Sequence, residues 1–526
     1  MREVVRRQSR RPRGARWMLA AAVLASAGAT PADARAQRAA PAAAAAPISL
    51  DNIVAIAVAH SPGLLLAIRQ LDAARGALLL AAAPFDAQVQ TSVGQVRSGE
   101  PTLATADGAP LSPLVTNQTS STVAMSKTLR SGVQVSPQLG VTRTDVSLLP
   151  GVATSRATAS LTVLLPLWKD RRGVVTRAGE DAAERQVSAG QRDLRQAMSD
   201  AIANSAAAYW RYVAAVRRLS VQVAAEQRAQ RMVDETIALV RADERAPADV
   251  VQLRANAASK RATRIAAEQS VFDTWRQLAA TIGLDGTAAR PQAPATDFPD
   301  AATSAPLSVS VDSLVALAQR TRDDRAASAL REVAARRLWT AAEHNLAPRL
   351  DLSVGLGYTG AGRGWGVDHY FAPLGRNASG VNTTFQLRYQ LPIANSAARG
   401  TAVGQRAIVD EQRILTDDIA RRIGVGVATA ADGLVFGALA LRAAREAVGL
   451  SGESVDNQKA KFQLGAATLI DVLLAEDALT TAQLAEISGQ LSYATALASL
   501  RHETGMLLLP GGDTPTPDPR ALLRTP

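Results

Sequence analysis

Apolar and polar residues alternate strictly in two regions of the chain. Four such stretches lie within residues 86–165 and two within 349–391, the clearest running from Val381 to Leu391. Successive side chains of a strand point to opposite faces of a sheet, so these stretches predict a sheet with one apolar face and one face of small, polar residues. A barrel wall that separates lipid from water has this pattern.

The segment 121–143 decides whether the first region holds two strands or four. Arg130-Ser131-Gly132 predicts a tight turn, but Pro137 weakens the strand that follows, because proline cannot donate to a sheet ladder. Each region must leave the sheet on the side where it entered, since its helices lie on one side. This requires an even number of strands. We expect four strands in the first region and two in the second.

Long helical patterns follow both strand regions. Between Pro166 and Pro247, apolar residues keep the three-four spacing of a coiled-coil seam. A helix of about 65 residues would be roughly 100 Å long. It turns near 242–247 and returns to Ile282, so residues 168–282 predict a helical hairpin. Residues 394–505 predict a second one. A shorter helix precedes each strand region and is predicted at 48–83 in the first half.

The two halves of the chain follow the same plan, which indicates an internal duplication. The segment Ile48–Ala55 is similar to Val309–Ala316, and both strand regions end in an apolar-Pro-apolar sequence. We expect structural repeats at 48–283 and 309–508. Linkers are predicted at 37–47 and 284–308, and the Pro/Gly-rich segment 509–526 is predicted to be disordered.

Residues 1–36 have the pattern of a secretory signal peptide and leader. Arginines come first, then a short apolar run from Trp17 to Ala27, then two small-residue cleavage sites. The run is too short to span a bilayer, and no other stretch reaches about 18 uninterrupted apolar residues. The leader holds eight Arg against Glu3 and Asp33, a charge of +6, so the net charge of +11 falls to +5 without it. We see no nucleic-acid footprint in this charge.

Composition argues against catalytic chemistry. The chain contains no cysteine, which excludes disulfides, thiolate metal sites, a cysteine nucleophile and a lipid-modified cysteine. The histidines lack ligand spacing, and no glycine-rich phosphate loop follows a strand. We therefore predict no enzyme activity, no cofactor and no metal site. The scattered histidines are His60, His344, His369 and His502.

The predicted strands are too few for one chain to close a wide barrel. Open sheet edges cannot exist in lipid, so several chains must share one barrel. Three chains would supply 12 or 18 strands, according to whether the first region holds two or four.

The segment Phe462–Gly505 carries a family resemblance. An aromatic residue, Gly465, a small-residue turn, the sequence IDVLLAEDALTTAQ and a long Ala/Leu helix ending in Gly505 resemble the closing hairpin of the TolC family of outer membrane efflux proteins. With the repeated plan, the resemblance covers about 48–508. It implies a mostly α, internally duplicated fold, in which a homotrimer shares one β-barrel in outer membrane lipid, continued by a long α-helical periplasmic barrel.

The resemblance also implies a function. Such proteins are gated passive conduits from the periplasm to the exterior, in tripartite efflux or type I secretion systems. Their partners are a periplasmic adaptor (membrane fusion protein) and an inner membrane pump, which supplies the energy.

The same resemblance assigns functional residues to the hairpin tips. It implies a weaker, simpler gate than in the best-known member, because Phe462 replaces a tyrosine, Ala467 an arginine and Leu474 a second acid. Glu476 and Asp477 lie about 140° and 240° around the helix from Asp471 and cannot extend its ring. The pore constriction or gate is assigned to Asp471, Asp249, Arg254 and Phe462, and the adaptor-contacting tips to Asp243, Pro247, Gly465, Ala466 and Thr468.

Alternatives stay open at this stage. Asp471 follows a candidate N-cap, Thr468, so its carboxylate could simply stabilise the N-terminus of the helix and have no role in the pore. The aromatic cluster Trp365, Tyr370 and Phe371 in a predicted outer loop could fold the loop, sit at the membrane rim or touch an external ligand. The whole chain could instead be a periplasmic coiled-coil adaptor or scaffold without a barrel, a secreted enzyme, or a channel that exports proteins, since fold does not settle the cargo.

Overall fold

A computed structural model describes residues 47–100, 114–146, 153–243, 246–286, 290–300, 310–364, 367–375, 381–509 and 516–524. The predicted signal peptide, most of the linker 37–47 and Trp365 lie outside these ranges. The helices are α1 Leu50–His60, α2 Pro62–Ala82, α3 Ala178–Arg241, α4 Pro247–Thr281, α5 Val311–Thr321, α6 Asp323–His344, α7 Val367–Phe371, α8 Ser396–Gln463 and α9 Leu469–Glu503. The strands are β1 Gln88–Glu100, β2 Leu114–Thr128, β3 Gln134–Val146, β4 Ala153–Pro166, β5 Arg349–Arg363, β6 Val381–Gln390, β7 Leu508–Leu509 and β8 Thr516–Pro517.

The six long strands form one antiparallel sheet in the order β1-β2-β3-β4-β5-β6. The first region therefore supplies four strands and the second two, which confirms the predicted number. Pro137 is accommodated within β3, opposite Leu161. The register also confirms the two-faced pattern. One row across the sheet contains Val123, Leu139, Ala159, Tyr358 and Val381, and a row on the other face contains Ser136, Thr162, Gly355 and Thr384.

The two very long helices each have shorter helices packed along them. Helix α3 spans 64 residues and contacts both α2 and α4, whereas α8 spans 68 residues and contacts α6 and α9. Helix α3 also contacts α6 and α9, which joins the two sets. Helices α4 and α8 are thus the outer members of a row ordered α4, α3, α9, α8.

Glycine ends the returning helix of each hairpin where an earlier part of the chain packs closely against it. Gly283, after α4, has φ 79°, and a Cβ there would lie 2.1 Å from the carbonyl oxygen of His60. Gly505, after α9, has φ 69°, and a Cβ there would lie 3.0 Å from the hydroxyl oxygen of Thr321. Only glycine takes this left-handed conformation without steric cost. Both glycines confirm the helix ends predicted from the sequence.

The first helix, predicted as one element over 48–83, is wrong in detail. It divides into α1 and α2 at Ser61 and Pro62, and a short 3-10 turn follows over Ala83–Phe85. Proline disfavours the helical conformation of the residue before it, and Ser61 accordingly has ψ 125°. Proline is itself well suited to the first position of a helix, so α2 starts at Pro62.

Helix α3 also begins later than the hairpin boundary of 168 predicts. The segment before it forms a tight junction with the turn between β2 and β3. The carboxylate of Asp170 accepts hydrogen bonds from the N–H groups of Val175, at 2.7 Å, and Thr176, at 3.0 Å. Gly173 has φ 71°, and a Cβ there would lie 2.0 Å from the carbonyl oxygen of Arg130. Within this junction only Arg171–Gly173 form a short 3-10 helix, and the long helix α3 begins after it, at Ala178.

Two described helical segments are long and apolar enough to cross a membrane by length and composition alone, Leu50–Phe85 and Ser396–Gln463. Core helices pass the same test. The first is interrupted at Pro62 and packs along α3. The second buries Leu434, Leu441 and Val455, which are separated by multiples of seven residues. We therefore interpret both as packing helices.

The largest core lies around the middle of α3. Tyr209, Trp210 and Tyr212 are almost completely buried there. The Tyr209 hydroxyl accepts a hydrogen bond from the N–H of Thr296 at 3.0 Å, and the Tyr212 hydroxyl donates to the carbonyl of Gln292. Ile48 forms backbone hydrogen bonds of 2.9 Å with Ala293 and Ala295. Part of the predicted linker 284–308 is therefore fixed against this core.

The prediction of a disordered tail at 509–526 is wrong for its described part. Strand β7 pairs with β8, and Leu522 is completely buried in the α3 core. The backbone carbonyl of Arg524 accepts a hydrogen bond from Arg501 at 3.1 Å. Proline and glycine indicated disorder by composition, but Leu522 has an apolar site to fill.

A charged cluster joins α3, the junction between α5 and α6, and the end of α9. The ring nitrogens of His502 lie 2.7 Å from a carboxylate oxygen of Asp200 and 3.5 Å from one of Glu503. Arg322 lies 2.8 Å from the other Glu503 oxygen. Burial lowers the pKa of His502, but the hydrogen bonds to Asp200 and Glu503 outweigh burial and raise the pKa to about 9. His502 is therefore charged at neutral pH.

This cluster predicts a pH-dependent contribution to stability. The folded pKa of His502, about 9, exceeds its ordinary value of 6.5. The contribution is therefore fully present below about pH 6.5 and is lost as the pH rises through about 9. At pH 6 we expect the free energy of unfolding of the wild-type protein to exceed that of His502→Gln by on the order of 1–3 kcal/mol. This difference should become smaller by pH 10.

Unfolding of both proteins in detergent across this pH range measures that difference. His344→Gln, on the exposed end of α6, is the matched control and should follow wild type. A His502→Gln difference that stays constant from pH 6 to 10 would contradict the assignment of a charged His502.

Candidate functional site at the hairpin tips

The connection between α8 and α9, residues 464–468, is the second tip. Gly465 has φ 75°. Its N–H donates to the carbonyl of Phe462 at 3.1 Å, and the N–H of Ala466 donates to Lys461 at 2.8 Å. This pair of bonds is a Schellman motif, which needs a left-handed residue at the position of Gly465. The turn predicted from the sequence is confirmed.

Thr468 and Asp471 form a capping box at the start of α9. The N–H of Asp471 donates to the Thr468 hydroxyl at 3.2 Å, and the N–H of Thr468 donates to the Asp471 carboxylate at 2.8 Å. The predicted N-cap is confirmed. The hydroxyl of Thr468, and then its backbone N–H, lower the pKa of Asp471, so this exposed carboxylate is charged at neutral pH.

The connection between α3 and α4 is the first tip, of which residues 244 and 245 lie outside the described ranges. Asp243 occupies a left-handed position with φ 59°, where the second tip has glycine. Pro247 is the first residue of α4, and Asp249 places a carboxylate in the first turn. Arg254 is exposed one turn further along.

The two hairpins share a small apolar core behind their tips. Its buried members come from three helices, and partly buried side chains, Phe462 among them, pack around it. The structure therefore places Phe462 between the hairpins. The buried members are Ala229 and Val233 of α3, Leu253 and Ala257 of α4, and Leu469 of α9.

A buried carboxylate joins the hairpins above this core. Glu476 of α9 is only 8% exposed. Its two oxygens lie 2.6 Å from the guanidinium of Arg228 on α3 and 2.6 Å from the ammonium of Lys459 on α8. Arg228 also donates to the hydroxyl of Thr480 at 3.2 Å. We call Arg228, Glu476, Lys459 and Thr480 the Glu476 lock.

Asp477 adds a second link, an ion pair with Lys260 of α4. Glu476 and Asp477 thus face the other hairpin, consistent with the prediction that they cannot extend a ring with Asp471. The Glu476 lock is not predicted from the sequence. A signal existed, because Leu469, Val472 and Glu476 keep the three-four spacing of a buried seam. A carboxylate in such a position needs a charged partner.

No protein-family model and no curated protein matches this sequence. Solved structures do match. The outer-membrane channel OprN superposes with a TM-score of 0.64 at 16% identity, over 87% of this chain and 89% of that one. The outer membrane protein VceC from Vibrio cholerae gives 0.62 at 19% identity, over 87% and 96%. The CmeC outer membrane channel of Campylobacter jejuni gives 0.61 at 16% identity, over 87% and 85%.

The chain therefore has the fold of outer membrane channels. The resemblance to the TolC family, first visible in Phe462–Gly505, is confirmed at the level of the fold over most of the chain.

Proposed function

We propose that this protein is the outer membrane channel of a tripartite efflux or type I secretion system, a gated passive conduit from the periplasm to the exterior. The single observation that carries the proposal is a two-faced sheet joined to very long helical hairpins. Strands β1 and β6 are its edges, and no strand pairs with their outer sides among the described residues. Three chains joined edge to edge would close a barrel of about 18 strands.

Aromatic side chains support a membrane position for the apolar face. Tyr389 and Trp168 are exposed near its helical end. At the other end, α7 lies on the sheet, where the Tyr370 hydroxyl donates to Ser121 at 2.8 Å, and Phe371 is half exposed. Residues 350 and 358 of β5 are about 26 Å apart along the strand. This distance suits a lipid-facing band of about 25 Å between two aromatic girdles.

The tips supply a surface for the periplasmic adaptor. Leu464, Ile470 and Leu474 expose large apolar side chains at the second tip, and Val251 does so near the first. Exposed apolar clusters of this kind mark protein interaction sites. Asp243, Pro247, Gly465, Ala466 and Thr468 shape the two turns beside them. The inner membrane pump would act through the adaptor. A coiled-coil scaffold would not need the two-faced sheet.

We further propose that three copies of Asp471 form a charged ring at the pore constriction, with Asp249 and Arg254 nearby. Asp471→Asn should lower the ratio of cation to anion permeability several-fold in planar bilayers. Thr468→Ala is the matched control, because it removes the cap, at about 1 kcal/mol, but keeps the carboxylate. Both variants should lose a little stability, and only Asp471→Asn should change ion selectivity. Equal ion selectivity in the two variants would contradict a pore role for Asp471 and leave helix capping as its function.

A further inference from the structure

We propose that Arg156 of β4 and Arg363 of β5 form an anion-binding site at the outer mouth of the barrel, and that this site favours cargo with a carboxylate, sulfate or phosphate group. This inference rests on the proposed function, because it takes the polar face of the sheet as the lining of a water-filled pore. Arg156 and Arg363 then determine which charge the channel prefers on its solutes.

Both arginines belong to the polar face of the sheet. Thr162 and Gly355 lie opposite each other on that face. Arg156 is six residues before Thr162, and Arg363 is eight residues after Gly355. Side chains of a strand alternate between the two faces, so residues separated by an even number share a face. Arg156 and Arg363 are both exposed there.

The opposite face of β4 is covered at this level. The residues that alternate with Arg156 are at most 1% exposed, namely Ala153, Ser155 and Ala157. Gly362 is the cross-strand partner of Ser155, and a Cβ at Gly362 would lie 3.3 Å from Pro373, in the turn after α7. The guanidinium of Arg156 therefore has no route through this packed side, and its charge stays on the polar face.

The two arginines are close enough to hold one anion. Arg156 lies opposite Ala361, and Arg363 is two residues further along β5. Diagonal neighbours of this kind are about 7–8 Å apart in an antiparallel pair. The guanidinium group presents several N–H donors in a planar fork at the end of a long side chain. Two such groups at this spacing reach the same carboxylate, sulfate or phosphate.

The pair has no carboxylate beside it on the described strands. Its neighbours on the same face are small and uncharged, among them Thr142, Thr144, Thr154, Thr158 and Ala361. Like charges this close repel each other, and a bound anion relieves the repulsion. The threonine hydroxyls offer additional hydrogen-bond donors to that anion.

The polar face as a whole has a surplus of positive charge. Asp351 is 4% exposed and forms an ion pair with Arg349, so it presents little charge to the pore. Glu100 is at the end of β1, three strands away from Arg156. On β1 to β6 this face carries four arginines and two carboxylates, a charge of +2 in each chain: Arg156, Arg349, Arg363, Arg388, Glu100 and Asp351.

The pair lies far from the helical end of the sheet. Arg156 is ten residues from Pro166, about 33 Å along β4, and Arg363 is about 46 Å along β5 from Arg349. Asp471 is further away by the length of α8, which has 68 residues and is about 100 Å long. This separation greatly exceeds the Debye length of about 10 Å, so the arginine pair and Asp471 act on ions independently.

Reversal potentials in planar bilayers under a KCl gradient test the site. Arg156→Gln combined with Arg363→Gln should raise the ratio of cation to anion permeability several-fold, because the pair no longer attracts anions. Arg363→Gln alone should change the ratio in the same direction. The matched control is Arg97→Gln, since Arg97 is an exposed arginine within one residue of the level of Arg363 but belongs to the apolar face. The control should have the wild-type ratio.

Inorganic phosphate separates binding at the pair from a general effect of charge. Phosphate added to each side in turn, at constant ionic strength, should lower the single-channel current of wild type but not of the double glutamine variant. Arg156→Lys with Arg363→Lys keeps both charges and loses the planar forks. That variant should keep the wild-type permeability ratio and show several-fold weaker block by phosphate.

The same recordings distinguish failure of the site from failure of the proposed function. A conducting channel with one permeability ratio in wild type and in the double glutamine variant would overturn the anion site and leave the channel in place. An equal change in Arg97→Gln, or wild type that phosphate does not block, would also overturn the site. Wild-type protein that forms no conducting channel would overturn both.

Discussion

If the protein is the proposed gated channel, replacing Glu476 with alanine is expected to raise its resting conductance about tenfold or more. The Glu476 lock joins α3, α8 and α9 behind the tips, where the two hairpins of one chain meet. Breaking one partner of a buried ion pair costs about 3–5 kcal/mol. Lys459 is 41% exposed and Arg228 keeps Thr480, so we expect a smaller loss of about 1–3 kcal/mol here. Each 1.4 kcal/mol shifts an equilibrium about tenfold.

The direction of this effect depends on which state contains the lock. The structure has the hairpins joined, so removing the carboxylate disfavours that arrangement relative to one in which they separate. Single-channel recording of the purified protein in planar bilayers measures the change directly. Greater sensitivity of cells to a large hydrophilic antibiotic would report the same opening in the intact envelope.

Glu235→Ala is the matched control for this prediction. Glu235 is an exposed carboxylate of α3 at a similar distance from the first tip and belongs to no ion pair among the described residues. Its removal should leave conductance unchanged. Arg228→Ala combined with Glu476→Ala should add little to the single variant, because both remove one interaction. Wild-type conductance in Glu476→Ala would show that the lock does not hold the resting state.

Much of the fold follows from local sequence patterns. Period-two alternation predicted the strands, since one face must be apolar and the other polar, and the turn at Arg130-Ser131-Gly132 is present as expected. Gly283, Gly465 and Gly505 marked helix ends, because each lies at positive φ. These features depend on a few neighbouring residues, and a sequence displays such neighbours directly.

What the sequence did not reveal depends on contacts between distant residues. Glu476 and Arg228 are 248 positions apart in the sequence. The spacing of apolar residues predicts which face of each helix is buried, but it does not predict which helix packs against that face. For that reason the sequence shows only that Glu476 cannot extend the Asp471 ring, and it does not identify Arg228 as the partner of Glu476. Asp471 shows the reverse case, since its cap lies three residues away and was predictable, whereas its role in a pore depends on other copies of the chain.

The tail illustrates why composition alone misleads. Residues 509–526 contain many prolines and glycines, which indicate disorder when no apolar surface can be buried. Leu522 nevertheless fills a place in the core that includes Ile48 and Trp210. Its burial depends on a site formed by distant parts of the chain, and the local sequence pattern does not predict that site.

Replacing Leu522 with alanine is therefore expected to lower the free energy of unfolding by about 2–5 kcal/mol, as for other fully buried leucines. The side chain is 0% exposed and belongs to the same core as the buried aromatic residues of α3. Leu523→Ala provides a control one residue away, because Leu523 is 36% exposed. This substitution should lower the free energy of unfolding by well under 1 kcal/mol. Thermal or denaturant unfolding of the two variants in detergent compares them directly. A disordered tail would make the two variants equivalent, whereas a tail that completes the core requires the Leu522 variant alone to be destabilised.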